Sequence, residues 1–213
     1  MHIDEIKDVY FSIKNEIEER ISEFERLWCY ASDEDIFAEL LFCILTPQSR
    51  ATSCWLVVEN LIKKDLLTKG CSQEICRELN IVRFKNRKTE YILAAREQFI
   101  QSGIIRIKSI LDDFSDVFSK REYLVKNVKG FGYKEASHFL RNIGFGRDIA
   151  ILDRHILKNL KNQDVIGEAP ASISRKLYLN IENSMRGFAL EIDIPLDHLD
   201  LLFWYIEVGK IFK

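Results

Sequence analysis

The sequence predicts an all-α fold. Apolar residues recur every three or four positions along most of the 213-residue chain, and the strict alternation typical of half-buried strands is nearly absent. Only three prolines and nine glycines occur, which leaves few helix-breaking positions and little room for linkers. Because 47% of the residues are apolar and 30% are charged, we expect one or two modest globular domains.

The elements follow from this periodicity in chain order. Residues 3–28 are predicted to form one long amphipathic helix. Ser32 or Asp33 is expected to cap a second helix that runs to Ile44 and ends at the proline-containing turn 46–49. Further helices are predicted over residues 50–63, 72–79, 86–101, 105–112, 116–128, 134–143, 154–162, 173–187 and 195–208.

Charge is distributed unevenly along the chain. The net charge is −2, but residues 1–34 hold ten acidic and four basic side chains, so the remainder carries a net charge of +4. Local patches rather than totals set the field that a ligand meets, and a nucleic-acid partner therefore remains open. The chain contains no apolar run of about eighteen residues, so we expect no membrane span. The first residues lack a signal-peptide pattern. We expect a cytoplasmic protein.

Cysteine usage argues against a metal centre. The five cysteines are scattered, and no two have the C-x-x-C spacing of a zinc or iron–sulfur site. Cys43 and Cys54 lie in apolar runs, so we expect both to be buried thiols. We therefore predict neither a zinc ion nor an iron–sulfur cluster.

Residues 120–134 are predicted to form two helices joined by a glycine hairpin. The hairpin reads Lys-Gly-Phe-Gly over 129–132, and a helix begins near Tyr133 or Lys134. Backbone amides of such a hairpin, together with the following helix N-terminus, form a seat for a phosphate. The segment's cations are Lys120, Arg121, Lys126, Lys129 and Lys134, against the single acid Glu122. This predicts binding to a nucleic-acid backbone; the alternative is an ordinary helical hairpin with a solvated basic face.

Two residues suggest chemistry. Lys134 starts a helix, where the helix dipole disfavours a cation and favours the neutral amine that acts as a nucleophile. Asp153 follows nineteen residues later, after the apolar run 149–152, and is expected to cap a helix that starts at Arg154. A capping carboxylate is held rigidly, so Asp153 is either a good electrostatic partner or only a structural cap.

These motifs resemble one protein family. V-K-G-F-G-Y-K followed by L-D-R-H is similar to the helix-hairpin-helix superfamily of base-excision DNA glycosylases. G-Y-K-E-A-S-H-F-L-R-N and the end segment F-W-Y-I-E-V-G-K-I-F-K resemble its archaeal-type 8-oxoguanine DNA glycosylase/AP lyase family, over about Asp35 to Lys213. The resemblance implies a two-domain fold with the active site in the interdomain cleft. Residues 35–133 would form a helical barrel-like domain that ends in the hairpin, and residues 1–34 with 134–213 would form the second domain.

The resemblance also implies a bifunctional DNA repair enzyme. Lys134 would attack C1′ of a flipped-out 8-oxoguanine nucleotide, and the resulting Schiff base would lead to strand cleavage by β-elimination. Asp153 would stabilise the cationic sugar transition state. Neither a redox cofactor nor a catalytic metal is expected, although backbone carbonyls of the hairpin would hold a monovalent cation. The expected partner is double-stranded DNA that contains 8-oxoguanine, bound by a monomer with no membrane association.

Two segments are expected to enter or contact the duplex. By resemblance, Gln48 would fill the gap left by the extruded base, and Arg50 would meet a phosphate or the orphaned partner base. Phe84 would push into the duplex from the cationic segment 83–88, whose cations are Arg83, Lys85, Arg87 and Lys88. The alternatives are a plain helix-capping turn at Gln48 and an inward-folded Phe84. The further DNA-binding candidates are Lys129, Gly130, Gly132 and His155.

The last segment of the chain is expected to recognise the damaged base. By resemblance, Trp204 would lie in the base pocket, and the main-chain carboxylate of Lys213 would contact the base. Asp200 lies one helical turn before Trp204 and is either a pocket acid or a surface residue. Two alternative functions stay open at this point: a glycosylase for another oxidised base, and a non-catalytic helix-hairpin-helix DNA-binding module.

Overall fold

The computed structural model describes residues 1–211, and most of these residues are helical. A short 3₁₀-helix (Leu79–Ile81) and two short strands complete the regular structure. No helix within the described residues is both long and apolar enough to cross a membrane. The helices are α1 (Ile3–Tyr30), α2 (Asp33–Leu45), α3 (Ala51–Lys63), α4 (Ser72–Glu78), α5 (Lys85–Phe99), α6 (Ile107–Asp112), α7 (Val117–Asn127), α8 (Tyr133–Asn142), α9 (Arg154–Asn162), α10 (Arg175–Glu191) and α11 (Leu196–Val208).

The chain forms two compact units. Unit 1 consists of residues 1–28 and the chain from Leu140 onward, and unit 2 consists of Cys29–Phe139. Unit 2 is built around α2, in which every residue from Ile36 to Leu45 is buried. A helix that is apolar on all sides belongs in a core, and α3, α5 and α6 pack around α2.

The start of α2 is set by its sequence. Ser32 is its N-cap, and the Ser32 hydroxyl accepts a hydrogen bond from the backbone N–H of Asp35 at 3.2 Å. The carboxylate of Asp35 in turn accepts from the N–H of Ser32 at 2.9 Å. This reciprocal pair satisfies two amides that the first helical turn leaves open, and it confirms the predicted cap at Ser32.

Unit 1 combines the first helix with the last three. The buried residues of α1 lie on one face, spaced three to seven residues apart along the helix, and they are Ile6, Tyr10, Ile13, Ile17 and Phe24. Helix α11 packs against both α9 and α10. Gly144 has φ +91°, and a Cβ there would lie 2.8 Å from the Cα of Glu25. Only glycine allows the chain that leaves α8 to approach α1 this closely.

A small β-hairpin is the part of the fold that the periodicity did not predict. Strands β1 (Ile100–Gln101) and β2 (Ile104–Ile105) pair antiparallel, so the predicted helices over 86–101 and 105–112 were wrong at these ends. Ser102 and Gly103 between the strands have φ values of 50° and 79°. Two consecutive residues with positive φ are typical of the tight turns that join hairpin strands.

The unit boundaries differ from the predicted boundaries by six residues at each junction. Segment 29–34 belongs with unit 2 because the N–H of Lys108 donates to Asp33 Oδ1 at 2.8 Å and the ammonium of Lys108 donates to the carbonyl of Ala31 at 3.0 Å. Segment 134–139 also belongs there, since Arg121 donates to the hydroxyl of Ser137 at 3.2 Å. Lys134 therefore lies in unit 2 rather than with the C-terminal helices.

Candidate active site

The glycine hairpin joins α7 to α8 over residues 128–132. Gly130 has φ +91°, and a Cβ at this position would lie 2.4 Å from the ring of Tyr91, so glycine is required. Gly132 has no positive φ; its N–H donates instead to Glu135 Oε2 at 3.2 Å. The motif alone does not distinguish the two glycines. Gly130 allows the backbone to turn, whereas Gly132 directly precedes α8.

Two of the cations predicted to face a phosphate are buried. Lys120 and Arg121 are 5% and 1% exposed. The ammonium of Lys120 donates to main-chain carbonyls, and the guanidinium of Arg121 lies over the ring of Tyr133, 5.3 Å from its centroid. They hold α7 against its surroundings, so their assignment to the phosphate-facing surface was wrong. Lys126 and Lys129 are exposed.

Lys134 is the second residue of α8 and is paired with its neighbour. Its ammonium lies 3.1 Å from Glu135 Oε1, and the two side chains are 27% and 14% exposed. Glu135 thus contacts both the Gly132 amide and the Lys134 amine. Glu135 was not among the predicted site residues, although a glutamate three residues after a helix-starting glycine is a recognisable capping signal.

A buried thiol lies within electrostatic range of Lys134. Burial raises the pKa of Cys54 to about 11, and the positive charges of Lys88 and Lys134 oppose this rise. Cys54 is therefore a neutral thiol at physiological pH, and it donates to the carbonyl of Leu45 at 3.2 Å. This confirms that Cys54 is a buried thiol, as the apolar run predicted.

Two exposed turns of unit 2 present the residues expected to enter DNA. Gln48 and Phe84 have φ values of 56° and 59°, which are uncommon for residues other than glycine. Phe84 is 56% exposed, so the alternative that it folds inward is wrong. Arg50 is the exposed N-cap of α3 and makes no capping hydrogen bond through its side chain. Strained backbone is often found at functional sites, which fits a contact role for both turns.

The cationic segment 83–88 divides into exposed and buried members. Arg83, Lys85 and Arg87 are exposed, as a DNA contact requires. Lys88 is only 3% exposed, and burial lowers its pKa. Its ammonium donates to the carbonyls of Leu45 and Pro47 and to the hydroxyl of Ser49. Including Lys88 among the DNA-facing cations was therefore wrong.

Asp153 is the N-cap of α9, as predicted. Its Oδ1 accepts hydrogen bonds from the N–H groups of His155 and Ile156 at 2.8 and 2.9 Å. The cap uses Oδ1 for both bonds, so Oδ2 is not needed for it. The carboxylate is thereby held in one orientation, which is the property that an electrostatic role requires.

His155 and Trp204 belong to one cluster in unit 1. Their rings meet edge to face with centroids 5.1 Å apart. His155 Nδ1 lies 3.7 Å from Glu207 Oε2, and Lys158 donates to the same carboxylate oxygen at 2.8 Å. The hydrogen bond from Lys158 lowers the pKa of Glu207, so this carboxylate is an anion that joins α9 to α11.

Asp200 is a buried acid, which excludes the surface alternative. It is 6% exposed, and its Oδ2 lies 3.8 Å from Nη2 of Arg141, which is also buried. Burial raises the pKa of Asp200 to about 7; Arg141 opposes this rise, and the negative charge of Asp153 adds to it. Asp200 and Asp153 are therefore within electrostatic range of each other. Lys213, the remaining pocket candidate, lies outside the described residues.

The raised pKa of Asp200 predicts a pH-dependent stability. Between about pH 4 and 7 the unfolded chain loses this proton while the folded chain keeps it, so stability falls as the pH rises through this window. Asp200→Asn removes the titration. Relative to the wild type, its free energy of unfolding should increase across the window by up to about 4 kcal/mol, as measured by urea denaturation at several pH values.

The control is Asp193→Asn, because Asp193 is exposed and asparagine tolerates its positive φ of 57°. This variant should keep the wild-type pH profile. If Asp200→Asn and the wild type respond equally to pH, Asp200 does not titrate in this window.

Comparison with known proteins places these features in a family. A family model described as 8-oxoguanine DNA glycosylase matches residues 17–194. An 8-oxoguanine DNA glycosylase/AP lyase from Fusobacterium nucleatum is 48% identical over 212 residues, which cover all of this chain and 98% of that protein.

Solved structures agree with the sequence comparison. The Methanocaldococcus jannaschii 8-oxoguanine glycosylase/lyase, crystallised with a DNA 15mer containing 8-oxoguanine, is 39% identical with a TM-score of 0.89 and covers 99% of each chain. The Thermotoga maritima 8-oxoguanine DNA glycosylase is 33% identical with a TM-score of 0.87, covering 99% of this chain and 98% of that one. The fold is that of the helix-hairpin-helix DNA glycosylases, and the chain belongs to the 8-oxoguanine DNA glycosylase family.

Proposed function

We propose that this chain excises 8-oxoguanine from duplex DNA and then cleaves the strand at the abasic site. The observation that carries the proposal is the placement of Lys134: an amine in the first turn of α8, directly after the glycine hairpin and partly exposed. The hairpin amides and the α8 N-terminus attract a phosphate, which would bring a nucleotide to this amine. Membership of the 8-oxoguanine DNA glycosylase family supports 8-oxoguanine as the base that is excised.

In the first step Lys134 acts as the nucleophile. The nucleotide is flipped out of the stack because C1′ is otherwise out of reach. The amine first gives up a proton and its contact with Glu135 and then forms a bond to C1′, while the glycosidic bond breaks and the base leaves with its electron pair and takes up a proton. Asp153, fixed by the α9 N-terminus, stabilises the positive charge that develops on the sugar.

In the second step the covalent intermediate cleaves the strand. The sugar ring opens to a Schiff base between Lys134 and C1′, which acidifies the C2′ proton. Loss of this proton expels the 3′ phosphate by β-elimination, and water then releases the lysine. This chemistry is carried by an amine nucleophile and requires no electron transfer. The monovalent cation expected at the hairpin carbonyls stays a prediction.

The remaining candidates are assigned to binding. Lys129 and the hairpin glycines Gly130 and Gly132 contact the phosphate backbone, together with Arg50 and with Arg83 and Lys85 beside Phe84. Glu135 occupies the Gly132 amide in the free protein, so a phosphate that binds there must replace it.

Unit 1 supplies the proposed base-recognition residues. Trp204 offers its ring to the damaged base, and His155, which meets this ring edge to face, contacts the DNA. Asp200 is able to act as a neutral acid near pH 7. The role expected for Lys213 stays a prediction.

Replacing Lys134 with glutamine tests the nucleophile. Lys134→Gln should fold normally because the side chain is partly exposed. Borohydride trapping on 8-oxoguanine duplex and strand nicking should both fall by a factor on the order of 10³ or more, as when a nucleophile is removed. Lys69→Gln, an exposed lysine paired with Asp65, is the control and should trap like the wild type. Full trapping by Lys134→Gln would assign the chemistry to another amine.

Replacing Asp153 with asparagine separates its two roles. Asparagine is as good an N-cap as aspartate, so the free energy of unfolding should change by less than ~1 kcal/mol. Excision in a single turnover should nevertheless slow by about 10²–10³, as when a preorganised electrostatic group is lost. An asparagine variant with wild-type excision would reduce Asp153 to a structural cap.

The exposed cations around Phe84 predict a salt effect. Replacing Arg83, Lys85 and Arg87 together by alanine should make the salt dependence of affinity for undamaged duplex shallower, by about one unit of slope per phosphate-contacting cation. Fluorescence anisotropy at several salt concentrations measures this. The control replaces Lys14, Arg20 and Arg26 of the acidic helix α1, and its slope should not change. An equal slope for wild type and the first variant would place those cations off the DNA.

A further inference from the structure

The two exposed turns of unit 2 are joined by one hydroxyl group. Ser49, which follows Gln48, accepts a hydrogen bond from the backbone N–H of Arg83 at 3.0 Å, and Arg83 precedes Phe84. The same hydroxyl accepts from the ammonium of Lys88 at 2.9 Å. We call Gln48 and Phe84 the tips of the two turns. Their neighbours Ser49 and Arg83 are linked directly, although they are 34 positions apart in the sequence.

Lys88 holds both turns at once. Its ammonium donates to the carbonyl of Pro47 at 2.9 Å and to Ser49, so it binds the residues on both sides of Gln48. Its backbone N–H donates to the carbonyl of Phe84 at 3.0 Å. The bond from the backbone N–H is the regular first-turn bond of α5, so the Lys88 side chain reaches the turn at Phe84 through Ser49.

The bonding of this ammonium is complete. It has three N–H groups, and they meet three uncharged acceptors: Pro47 O, Ser49 Oγ and, at 2.6 Å, Leu45 O. Burying a charge that meets only neutral groups is costly.

The backbone conformation at Gln48 and Phe84 also indicates that the two turns are held in place. Gln48 and Phe84 both adopt positive φ without being glycine, and such residues persist only when their surroundings hold them. Both side chains are exposed, and the exposed cations Arg50, Arg83 and Lys85 flank them. The side chains of Gln48 and Phe84 are therefore held in a fixed relation to each other, beside cations that attract a polyanion.

We propose that Lys88 and Ser49 are positioning residues that hold Gln48 and Phe84 as one two-pronged probe, which enters the duplex as a unit and unstacks the nucleotide to be extruded. The proposal rests on the proposed function for its substrate, duplex DNA. If each tip acted separately, loss of the hydrogen bonds made by Lys88 and Ser49 would not disable both. The proposal instead expects that this loss disables both tips, although the Gln48 and Phe84 side chains themselves are unchanged.

The test measures unstacking independently of excision. A 2-aminopurine placed beside 8-oxoguanine in a duplex should brighten when saturating wild-type protein binds. Lys88→Met and Ser49→Ala should reduce this rise to the level of the double variant Gln48→Ala/Phe84→Ala. Excision from duplex should fall roughly tenfold to a hundredfold, the cost of misplacing a reacting group. Trapping on an abasic single strand, where nothing needs to be unstacked, should stay at the wild-type level.

A matched variant controls for the loss of a buried lysine. Lys120 is also buried in unit 2, and its ammonium donates to the carbonyls of Leu111 and Phe114, away from both turns. Lys120→Met should therefore lose stability as Lys88→Met does, yet keep the full 2-aminopurine signal. Should Lys88→Met fail to fold, Ser49→Ala decides, since it removes only the bridging hydroxyl.

A double-mutant comparison identifies the route of the effect. In the Gln48→Ala/Phe84→Ala background, Lys88→Met and Ser49→Ala should cause no further loss of excision. A loss as large as in the wild-type background would show that they act elsewhere and would overturn the proposal. An undiminished 2-aminopurine signal in both single variants would also overturn it, as would the absence of a fluorescence rise with the wild-type protein. A wild-type protein that unstacks the probe but excises nothing would instead refute the proposed function.

Discussion

The close approach of Gly130 to Tyr91 is the constraint on which the arrangement around Lys134 depends. A positive φ and the absence of a side chain let the chain reverse between α7 and α8 within five residues. Arg121, buried between the two helices, holds them through Ser137 and the ring of Tyr133. Helix α8 therefore begins at a defined place, and its first turn carries Lys134 and Glu135. The carboxylate of Glu135 binds the amide and the amine that the proposed reaction needs, so substrate entry must exchange these contacts.

Unit 2 repeatedly uses buried cations to bind main-chain carbonyls. Lys88 binds the end of α2 and the turn after it, and Lys120 binds carbonyls at and after the end of α6. Arg96 of α5 donates to the carbonyls of Leu67 and Gly70 in the loop after α3. Burial lowers the pKa of all three side chains. Carbonyls at helix ends lack partners within the helix, and these cations satisfy them where water is excluded.

Most of the helical fold was predictable from apolar spacing, but the location of individual cations was not. Ser32 and Asp153 cap their helices as predicted, because a cap depends on local sequence. Lys120, Arg121 and Lys88 were misplaced on the surface, because charge in a sequence does not show which side chain a tertiary fold encloses. The β1–β2 hairpin was missed because its strands have two residues each, too few to show an alternating pattern. Asp200 and Arg141 are nearly sixty positions apart, and their contact depends on packing between helices.

The site candidates differ in how much local sequence reveals. Lys134 and Asp153 were predicted as site candidates because the motifs around them are contiguous. Glu135 carried a local signal that was not used, whereas the bridge from Ser49 to Lys88 joins residues 39 positions apart and has no sequence pattern of its own. The positive φ of Gln48 and Phe84 was equally hidden, since neither residue type favours it.

In the proposed reaction Lys134 forms the covalent bond to DNA, and identifying the linked residue tests this assignment. Wild-type protein is incubated with 8-oxoguanine duplex under borohydride, digested, and analysed by tandem mass spectrometry. We expect the reduced sugar adduct on the peptide that contains Lys134, at the Lys134 side-chain nitrogen. An adduct on the N-terminal amine or on Lys129 would contradict it, as would base release without any adduct.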